Sequence, residues 1–258
     1  MTSARRIARI AGFVGITAAM LPAFMTRYAL ASPGRRDRVR DTWVRAWSGS
    51  LLRLFSIAID LEGSERAPNP SPSSKGRLIV ANHRSAIDIA VLLWIFGGRM
   101  VSRADLSGWP LIGSAAKSAG TIFVDRSRTT SGAGAIREIR RHLEEGQTVI
   151  LFPEGTTFEG DEVRPFHAGA FVAAVRAAAS IVPVGLAYPT DSRAAFVNEP
   201  FTRHLVRVAG AGATRVAVRV GDAIQIAAGA RASDVSGASQ KAVQELVRAA
   251  RAALNYHR

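Results

Sequence analysis

From about residue 56 onward, short apolar, β-branched runs alternate with helical runs, and this alternation limits the fold more than any other feature. The predicted strands cover residues 56–61, 77–81, 121–124, 148–152, 181–187 and 214–220. The predicted helices cover residues 86–96, 111–119, 132–144, 168–178 and 239–254. Strands separated by helices of this length are typical of parallel sheets. The sequence therefore predicts an α/β fold, with a mixed, largely parallel sheet flanked by helices.

Composition agrees with a folded protein and removes several chemistries. Apolar residues make up 48% of the 258-residue chain and charged residues 21%, which is too apolar for a disordered protein. The chain contains no cysteine. A disulfide framework, a thiolate zinc site, an iron–sulfur cluster and a cysteine nucleophile are therefore excluded.

The basic charge is concentrated near the N-terminus. The whole chain carries a net charge of +14, of which residues 1–58 supply +8, from ten arginines and two aspartates. Seventeen uncharged residues, 10–26, lie between these arginines. A bilayer core asks for about 20 apolar residues, with a range of roughly 17–25, so this run is at the lower limit for a spanning helix.

A cleaved signal peptide, a nucleic-acid-binding arm, a membrane anchor and a buried helix of the main domain all compete for this segment. Arg27 and the arginines that follow it oppose export, and no interleaved aromatic residues indicate nucleic-acid binding. We favour an anchor in the cytoplasmic leaflet of the cell membrane, with its arginines on anionic head groups; the buried helix stays open. We thus predict a membrane-associating helical region over residues 1–55, an α/β domain over 56–258, and no nucleic-acid partner.

The first candidate site follows the predicted strand 77–81, where the chain reads Asn82-His83 and then reaches Asp88. Residues five apart on one helix lie about 140° apart, so His83 and Asp88 cannot meet if both are helical. If His83 lies on the turn before the helix, Asp88 can point back at its ring and leave the other nitrogen free as a base. The alternative is that Ser85 and Asp88 form a capping box and His83 is an incidental turn residue.

The second candidate site follows the strand 121–124 with Asp125 and Arg126. An arginine at a strand end can hold an anionic group through paired hydrogen bonds. Its alternative role is a surface ion pair with Asp125 or Glu138.

The third candidate site follows the strand 148–152 with Pro153, Glu154, Gly155 and Thr156. The glycine lets the backbone approach a ligand closely, and nearby amides can donate to an anion. Glu154 is placed to accept a hydrogen bond from a hydroxyl. The alternative is a simple exit from the strand, with Glu154 in solvent.

Together these segments resemble the glycerophospholipid acyltransferase family, whose best-known members make phosphatidic acid from 1-acylglycerol 3-phosphate. The chain carries N-H-x-x-x-x-D at residues 82–88, G-x-x-F-x-x-R at 120–126, F-P-E-G-T at 152–156 and I-V-P-V at 181–184. These blocks stand in the family's order and at plausible separations.

The resemblance implies a role for each matching residue. His83 is the expected general base and Asp88 its orienting partner, while Arg126 is expected to bind the acceptor phosphate. The acyl donor is expected to be acyl-CoA or acyl carrier protein, and the acceptor a lysolipid in the membrane. No metal and no further cofactor are expected. The implied substrate-binding residues are Asn82, Arg126, Glu154, Gly155, Thr156 and His167.

One departure from the family pattern concerns the acceptor. The family often has lysine in F-K-x-G, and this chain has His167 between Phe166 and Ala168. Arg164 can compensate for the missing charge, or the acceptor is less anionic, such as a lyso-ornithine lipid or a lysophospholipid. Phosphatidic acid synthesis remains our first prediction. A non-catalytic membrane-binding relative and an enzyme that hydrolyses the thioester stay open beside it.

Two further expectations concern residues outside these blocks. We expect Phe196, Phe201 and Leu205 in a loop that touches the membrane interface. The remaining histidines are expected on the surface; they are His142, His204 and His257.

Overall fold

A computed structural model describes residues 2–63, 75–109, 111–125 and 129–256. The helices are α1 (Thr2–Leu30), α2 (Pro33–Leu54), α3 (Ile87–Phe96), α4 (Ile112–Ser118), α5 (Thr129–Glu144), α6 (Gly169–Ala177), α7 (Phe201–Gly210) and α8 (Ala232–Tyr256). The strands are β1 (Ile57–Glu62), β2 (Arg77–Ala81), β3 (Arg99–Arg103), β4 (Ile122–Val124), β5 (Thr148–Leu151), β6 (Ser180–Ala187) and β7 (Thr214–Val220).

The seven strands form one sheet in the order β1-β7-β6-β2-β5-β3-β4. All neighbouring pairs are parallel except β6 and β7, which are antiparallel. The predicted mixed, largely parallel sheet is therefore confirmed. Every strand and helix predicted from the pattern is present, with ends that differ by a few residues, or by seven at the start of α8.

Helices cover both faces of this sheet. In β2 the side chain of Ile79 joins a core cluster with residues of α1, α2 and α3. Its neighbours Leu78 and Val80 join a second cluster with residues of α5, α6 and α8. Because successive side chains of a strand point to opposite faces, a fully apolar strand such as β2 requires cover on both sides.

Strand β3 and helix α7 were not predicted from the sequence. The strand reads Arg-Met-Val-Ser-Arg, and its two arginines conceal the short apolar run. Residues 201–210, which we expected to be a loop, form α7, so the loop prediction was wrong for Phe201 and Leu205. This helix buries His204 and Val208 on one side, a spacing of one turn.

Helix α1 packs one face against the rest of the protein. Its buried residues follow helical spacing and are Arg9, Phe13, Thr17 and Phe24. The rest of the helix surface is exposed and includes Val14 and Met25. By length and composition alone, α1 is apolar enough to cross a bilayer.

Two arginines of the N-terminal region serve the fold rather than lipid head groups. Arg9 is buried, and its guanidinium donates to the carbonyl of Ala211 at 2.7 Å and to Ser56 Oγ at 2.8 Å. Arg40 on α2 is buried, with its Nη1 atom 2.7 Å from Asp37 Oδ1. For these two arginines the expected contact with head groups was wrong.

Gly185 of β6 lies against the backbone of α8, which gives a test of the packing. A Cβ atom at this position would lie 2.4 Å from Leu246 C and 2.4 Å from Val247 N. We expect Gly185→Ala to lower the free energy of unfolding by about 1–3 kcal/mol, because the helix must shift outward.

Gly237→Ala in α8 is the matched control, since a Cβ there meets no atom within 4 Å. It should raise the free energy of unfolding by up to about 1 kcal/mol, because alanine favours a helix. Thermal or denaturant unfolding in detergent measures both changes, and equal stability of the two variants would contradict this packing.

Candidate active site

Three neighbouring strands, β6, β2 and β5, deliver polar side chains to one edge of the sheet. Because these strands are parallel, the residues that follow their carboxyl ends lie side by side, as in other α/β proteins. Asn82 and His83 follow β2, Glu154 lies three residues beyond β5, and Tyr188 follows β6.

His83 and Asp88 meet in the way that their spacing predicts. His83 lies on the turn before α3, and its Nδ1 atom is 2.9 Å from Asp88 Oδ2. The side chain of His83 is 16% exposed and that of Asp88 is 0% exposed. The imidazole stacks on Phe152, with ring centroids 3.9 Å apart and planes 8° apart. Within the described part of the chain, His83 Nε2 makes no hydrogen bond, so it is available to a substrate.

Asp88 also caps the turn, so the capping contact of the alternative interpretation is present, but His83 is not an incidental turn residue. Its Oδ2 atom accepts hydrogen bonds from the amides of Arg84 at 2.7 Å and Ser85 at 2.8 Å. Ser85 Oγ in turn accepts from the amide of Ile87 at 3.2 Å. The same carboxylate thus holds the turn that precedes α3 and contacts the imidazole.

Glu154 lies inside the protein, where it ties the third site to the first. Its Oε1 atom accepts from the amide of His83 at 2.7 Å and from Arg84 Nη1 at 2.8 Å. Its Oε2 atom accepts from the amide of Arg164 at 2.8 Å. Glu154 is buried, so the alternative that it lies in solvent was wrong. Its expected place in the acceptor site stays a prediction, and the contacts indicate a positioning role.

Arg84 was not singled out from the sequence, and it binds the loop that follows the third site. Its side chain is buried and donates to the carbonyls of Gly160 at 2.6 Å and Glu162 at 2.7 Å. The amide of Phe158 donates to the carbonyl of His83 at 3.0 Å. The loop is therefore held against the turn of residues 82–85.

The other predicted site residues have varied surroundings. Asn82 is buried, and its side-chain amide bonds the backbone of Leu186. Gly155 has φ of +84°, a left-handed conformation that favours glycine. Thr156 and His167 are exposed. Arg126 lies outside the described residues.

Two of the remaining histidines are buried, so their expected surface position was wrong, while His257 lies outside the described residues. His204 packs behind the turn of residues 82–85, where its Nε2 atom is 3.4 Å from Ser85 Oγ and its Nδ1 atom is 2.9 Å from Arg207 Nη2. Burial, with the charge of Arg207 added, lowers the pKa of His204 to about 4. Burial and the charge of Arg99 lower the pKa of His142 to about 4 as well.

No cluster of three or more His, Asp or Glu side chains suited to a metal ion occurs among the residues that the structure describes. The site instead offers an oriented imidazole beside an open edge of the sheet. This arrangement suits general-base chemistry on a hydroxyl.

Comparison with known proteins shows which family the chain resembles. Residues 58–187, which are 130 of the 258 residues, match the acyltransferase family. The chain is 31% identical over 179 residues to a lyso-ornithine lipid O-acyltransferase of Pseudomonas aeruginosa, covering 66% of this chain and 65% of that protein. It is also 31% identical over 135 residues to the 1-acyl-sn-glycerol-3-phosphate acyltransferase of Neisseria gonorrhoeae, covering 52% of each.

A solved structure shares the fold over nearly the whole chain. It is PlsC, the 1-acyl-sn-glycerophosphate (LPA) acyltransferase of Thermotoga maritima, with a TM-score of 0.72 at 18% identity. The match covers 96% of this chain and 97% of that one. The chain belongs to the acyltransferase family.

The Arg84–Glu154 pair allows a test of whether Glu154 holds the turn or contacts the acceptor. Glu154→Gln keeps the shape of the side chain and leaves Arg84 as a buried charge without its carboxylate. We expect the free energy of unfolding to fall by about 3–5 kcal/mol, the usual cost of breaking a buried ion pair.

Glu159→Gln, at an exposed glutamate of the neighbouring loop, is the control and should change stability by less than about 0.5 kcal/mol. Denaturant unfolding and acceptor KM are measured for both variants. A stable Glu154→Gln protein with a raised acceptor KM would assign Glu154 to the acceptor instead.

The lowered pKa of His204 predicts how stability depends on pH. At a pH below 6.5, the ordinary pKa of histidine, residue 204 of the unfolded chain binds a proton. In the folded protein His204 does not bind that proton until the pH reaches about 4. Stability is therefore lost as the pH falls from 6.5 towards 4, by about 2 kcal/mol at pH 5 for one such histidine. His204→Gln should remove that part of the loss between pH 7 and pH 5, measured by denaturant unfolding. Identical pH slopes in the two proteins would contradict it.

Proposed function

We propose that the protein transfers a fatty acyl group from acyl-CoA or acyl carrier protein to the free hydroxyl of a lysolipid, with His83 as general base. The contact that carries this proposal is the 2.9 Å pair between His83 Nδ1 and Asp88 Oδ2. Asp88 Oδ2 accepts a hydrogen bond from His83 Nδ1–H, so Nε2 keeps its lone pair on the side open to substrate.

The reaction then needs a base that accepts the hydroxyl proton and an attack of the hydroxyl oxygen on the thioester. His83 Nε2 takes the proton of the lysolipid hydroxyl as its oxygen attacks the thioester carbonyl carbon. The tetrahedral intermediate collapses, the carbon–sulfur bond breaks, and the thiolate takes the proton from His83. An ester and a free thiol are formed, and His83 returns to its starting state.

An apolar cavity beside the site supports a fatty acyl substrate. It has a volume of about 240 Å³ and lies between α1, α2, α3, α4 and α7. Its wall includes Ala86 and Ile87 at the start of α3, next to the turn of residues 82–85, and extends to Phe24 and Trp43 on the N-terminal helices. An alkyl chain in this cavity is removed from water, which favours its binding.

The first acceptor that we propose is 1-acylglycerol 3-phosphate, which would make the product phosphatidic acid. The resemblance assigns its phosphate to Arg126, and the relatives named for this acceptor cover about half of the chain. Gly155, Thr156 and His167 are the other residues proposed for the acceptor site.

The second acceptor that we propose is a lyso-ornithine lipid, and two observations favour it. His167 stands where the family often has a lysine, which removes one fixed positive charge. The relatives named for lyso-ornithine lipid in Pseudomonas and Brucella align over 66% and 69% of this chain.

A membrane setting follows from such acceptors, which reside in a bilayer. Helix α1 presents exposed apolar side chains along its length, among them Ile7, Val14 and Met25. We propose that residues 1–55 hold the site at the cytoplasmic face of the cell membrane, where the remaining exposed arginines meet anionic lipids.

Purified protein in detergent micelles tests the reaction and the acceptor together. Each acceptor, 1-acylglycerol 3-phosphate or lyso-ornithine lipid, is offered with acyl-CoA and with acyl carrier protein, and the ester product is measured. We expect transfer to 1-acylglycerol 3-phosphate and a loss of about 10²–10⁴-fold in His83→Ala, the usual contribution of a general base.

Asp88→Asn should also lose activity, and Asp105→Asn, at an aspartate whose side chain is 56% exposed, is the matched control that should keep it. Transfer only to lyso-ornithine lipid would select the second acceptor. Free fatty acid as the main product would indicate hydrolysis, and full activity in His83→Ala would refute the mechanism.

A further inference from the structure

Asp88 has a fourth hydrogen-bond partner, Tyr188, which was not predicted from the sequence. The reaction proposed above gives Tyr188 no role. The hydroxyl of Tyr188 donates to Asp88 Oδ1 at 2.5 Å. The other oxygen, Oδ2, faces the imidazole of His83 and two backbone amides. The phenol therefore donates to Oδ1, the carboxylate oxygen that receives no hydrogen bond from residues 83–85.

We propose that Tyr188 is a positioning residue for His83 and that it acts through Asp88. This inference rests on the proposed roles of His83 as base and Asp88 as its orienting partner. The phenol fixes the rotation of the carboxylate about its Cβ–Cγ bond. Oδ2 then stays in line with His83 Nδ1, and the imidazole keeps Nε2 towards the substrate.

The surroundings of Tyr188 keep it in the donor form. The residue is 7% exposed, and burial together with the negative charge of Asp88 raises its pKa well above 10. A neutral phenol with one proton and a carboxylate oxygen as its acceptor forms a short, charge-assisted bond. An aromatic ring has few rotatable bonds, so the donor position is well defined.

The fold delivers Tyr188 to this place through Asn82. Strands β2 and β6 are parallel neighbours, with Ala81 opposite Val184. Beyond the end of β2, the side chain of Asn82 continues the pairing. Its Nδ2 donates to the carbonyl of Leu186 at 2.9 Å, and its Oδ1 accepts from the amide of Leu186 at 2.8 Å.

These two hydrogen bonds fix the end of β6 against Asn82, the first residue of the turn 82–85. Tyr188 lies two residues after Leu186, so the side chains of these two residues point to the same side of the sheet. Asn82, which the resemblance placed in the substrate site, is by this argument the residue that aligns Tyr188 with Asp88.

Tyr188→Phe tests the proposal, because it removes only the hydroxyl and keeps the ring in the core. We expect kcat to fall about tenfold to hundredfold, the effect of losing one hydrogen bond to a charged group. The KM values for donor and acceptor should stay within about twofold, since the phenol touches neither substrate. Tyr256→Phe is the control, at a tyrosine that is 88% exposed, and should match the parent protein.

The pH profile of kcat/KM separates a positioning role from a structural one. Without the phenol the charge of Asp88 is less stabilised and attracts a protonated His83 more strongly, so the acid limb should move to higher pH. The charged or titratable groups that face this pair, within the described residues, are Arg84 from the turn, Glu154 after β5 and His204 on α7. All three are unchanged by Tyr188→Phe.

Three results would overturn the proposal. One is a kcat and pH profile equal to those of the parent, and another is a raised KM at unchanged kcat, which would indicate a substrate contact. The third is a lower melting temperature and kcat with an unmoved acid limb, which would indicate a purely structural role. The proposed function is judged separately by His83→Ala: if that variant is inactive while Tyr188→Phe is normal, only the inference about Tyr188 fails.

Discussion

The buried carboxylate of Asp88 is the group on which the candidate site depends. It is fully removed from solvent, and an unpaired charge in that position would cost many kcal/mol. Four hydrogen bonds offset this cost: two from backbone amides, one from His83 and one from Tyr188. These donors come from the turn after β2 and from the end of β6. The carboxylate is stable only when the two strands and α3 are in their folded places, so orientation of the imidazole is coupled to the fold.

A second buried carboxylate, Glu154, holds the turn after β2 from the other side, because it follows the neighbouring strand β5. It accepts from the amide of His83 and from Arg84, and Arg84 reaches on to the loop after β5. From the sequence we expected Glu154 to accept a hydrogen bond from a hydroxyl. In the structure it accepts hydrogen bonds from groups of the protein itself. The physical reason is that an ion pair shielded from water gains most when every remaining lone pair is also bonded.

The sequence predicted those features that depend on neighbours along the chain. The alternation of strands and helices is local, and so is the turn that lets His83 meet Asp88 five residues on. Tyr188 is one hundred residues from Asp88, and no periodicity joins them, because the contact depends on β6 lying beside β2. Burial of His204 likewise depends on α7 packing against the turn. Only the strand order of the folded sheet brings these groups together.

Helix α1 contributes both to the core of the protein and to the wall of the apolar cavity. One face of α1 contributes Phe13 to the core and Phe24 to the wall of the cavity, while exposed apolar side chains lie on the rest of its surface. Under the proposed function, the same helix offers one surface to the bilayer and another to the acyl chain in the cavity. Arg9 fixes this helix to the loop after α7 through the carbonyl of Ala211. Because Phe24 lines the cavity, a shift of α1 would change the width of the cavity; if the proposed function holds, the acyl-chain preference depends on how this helix is seated.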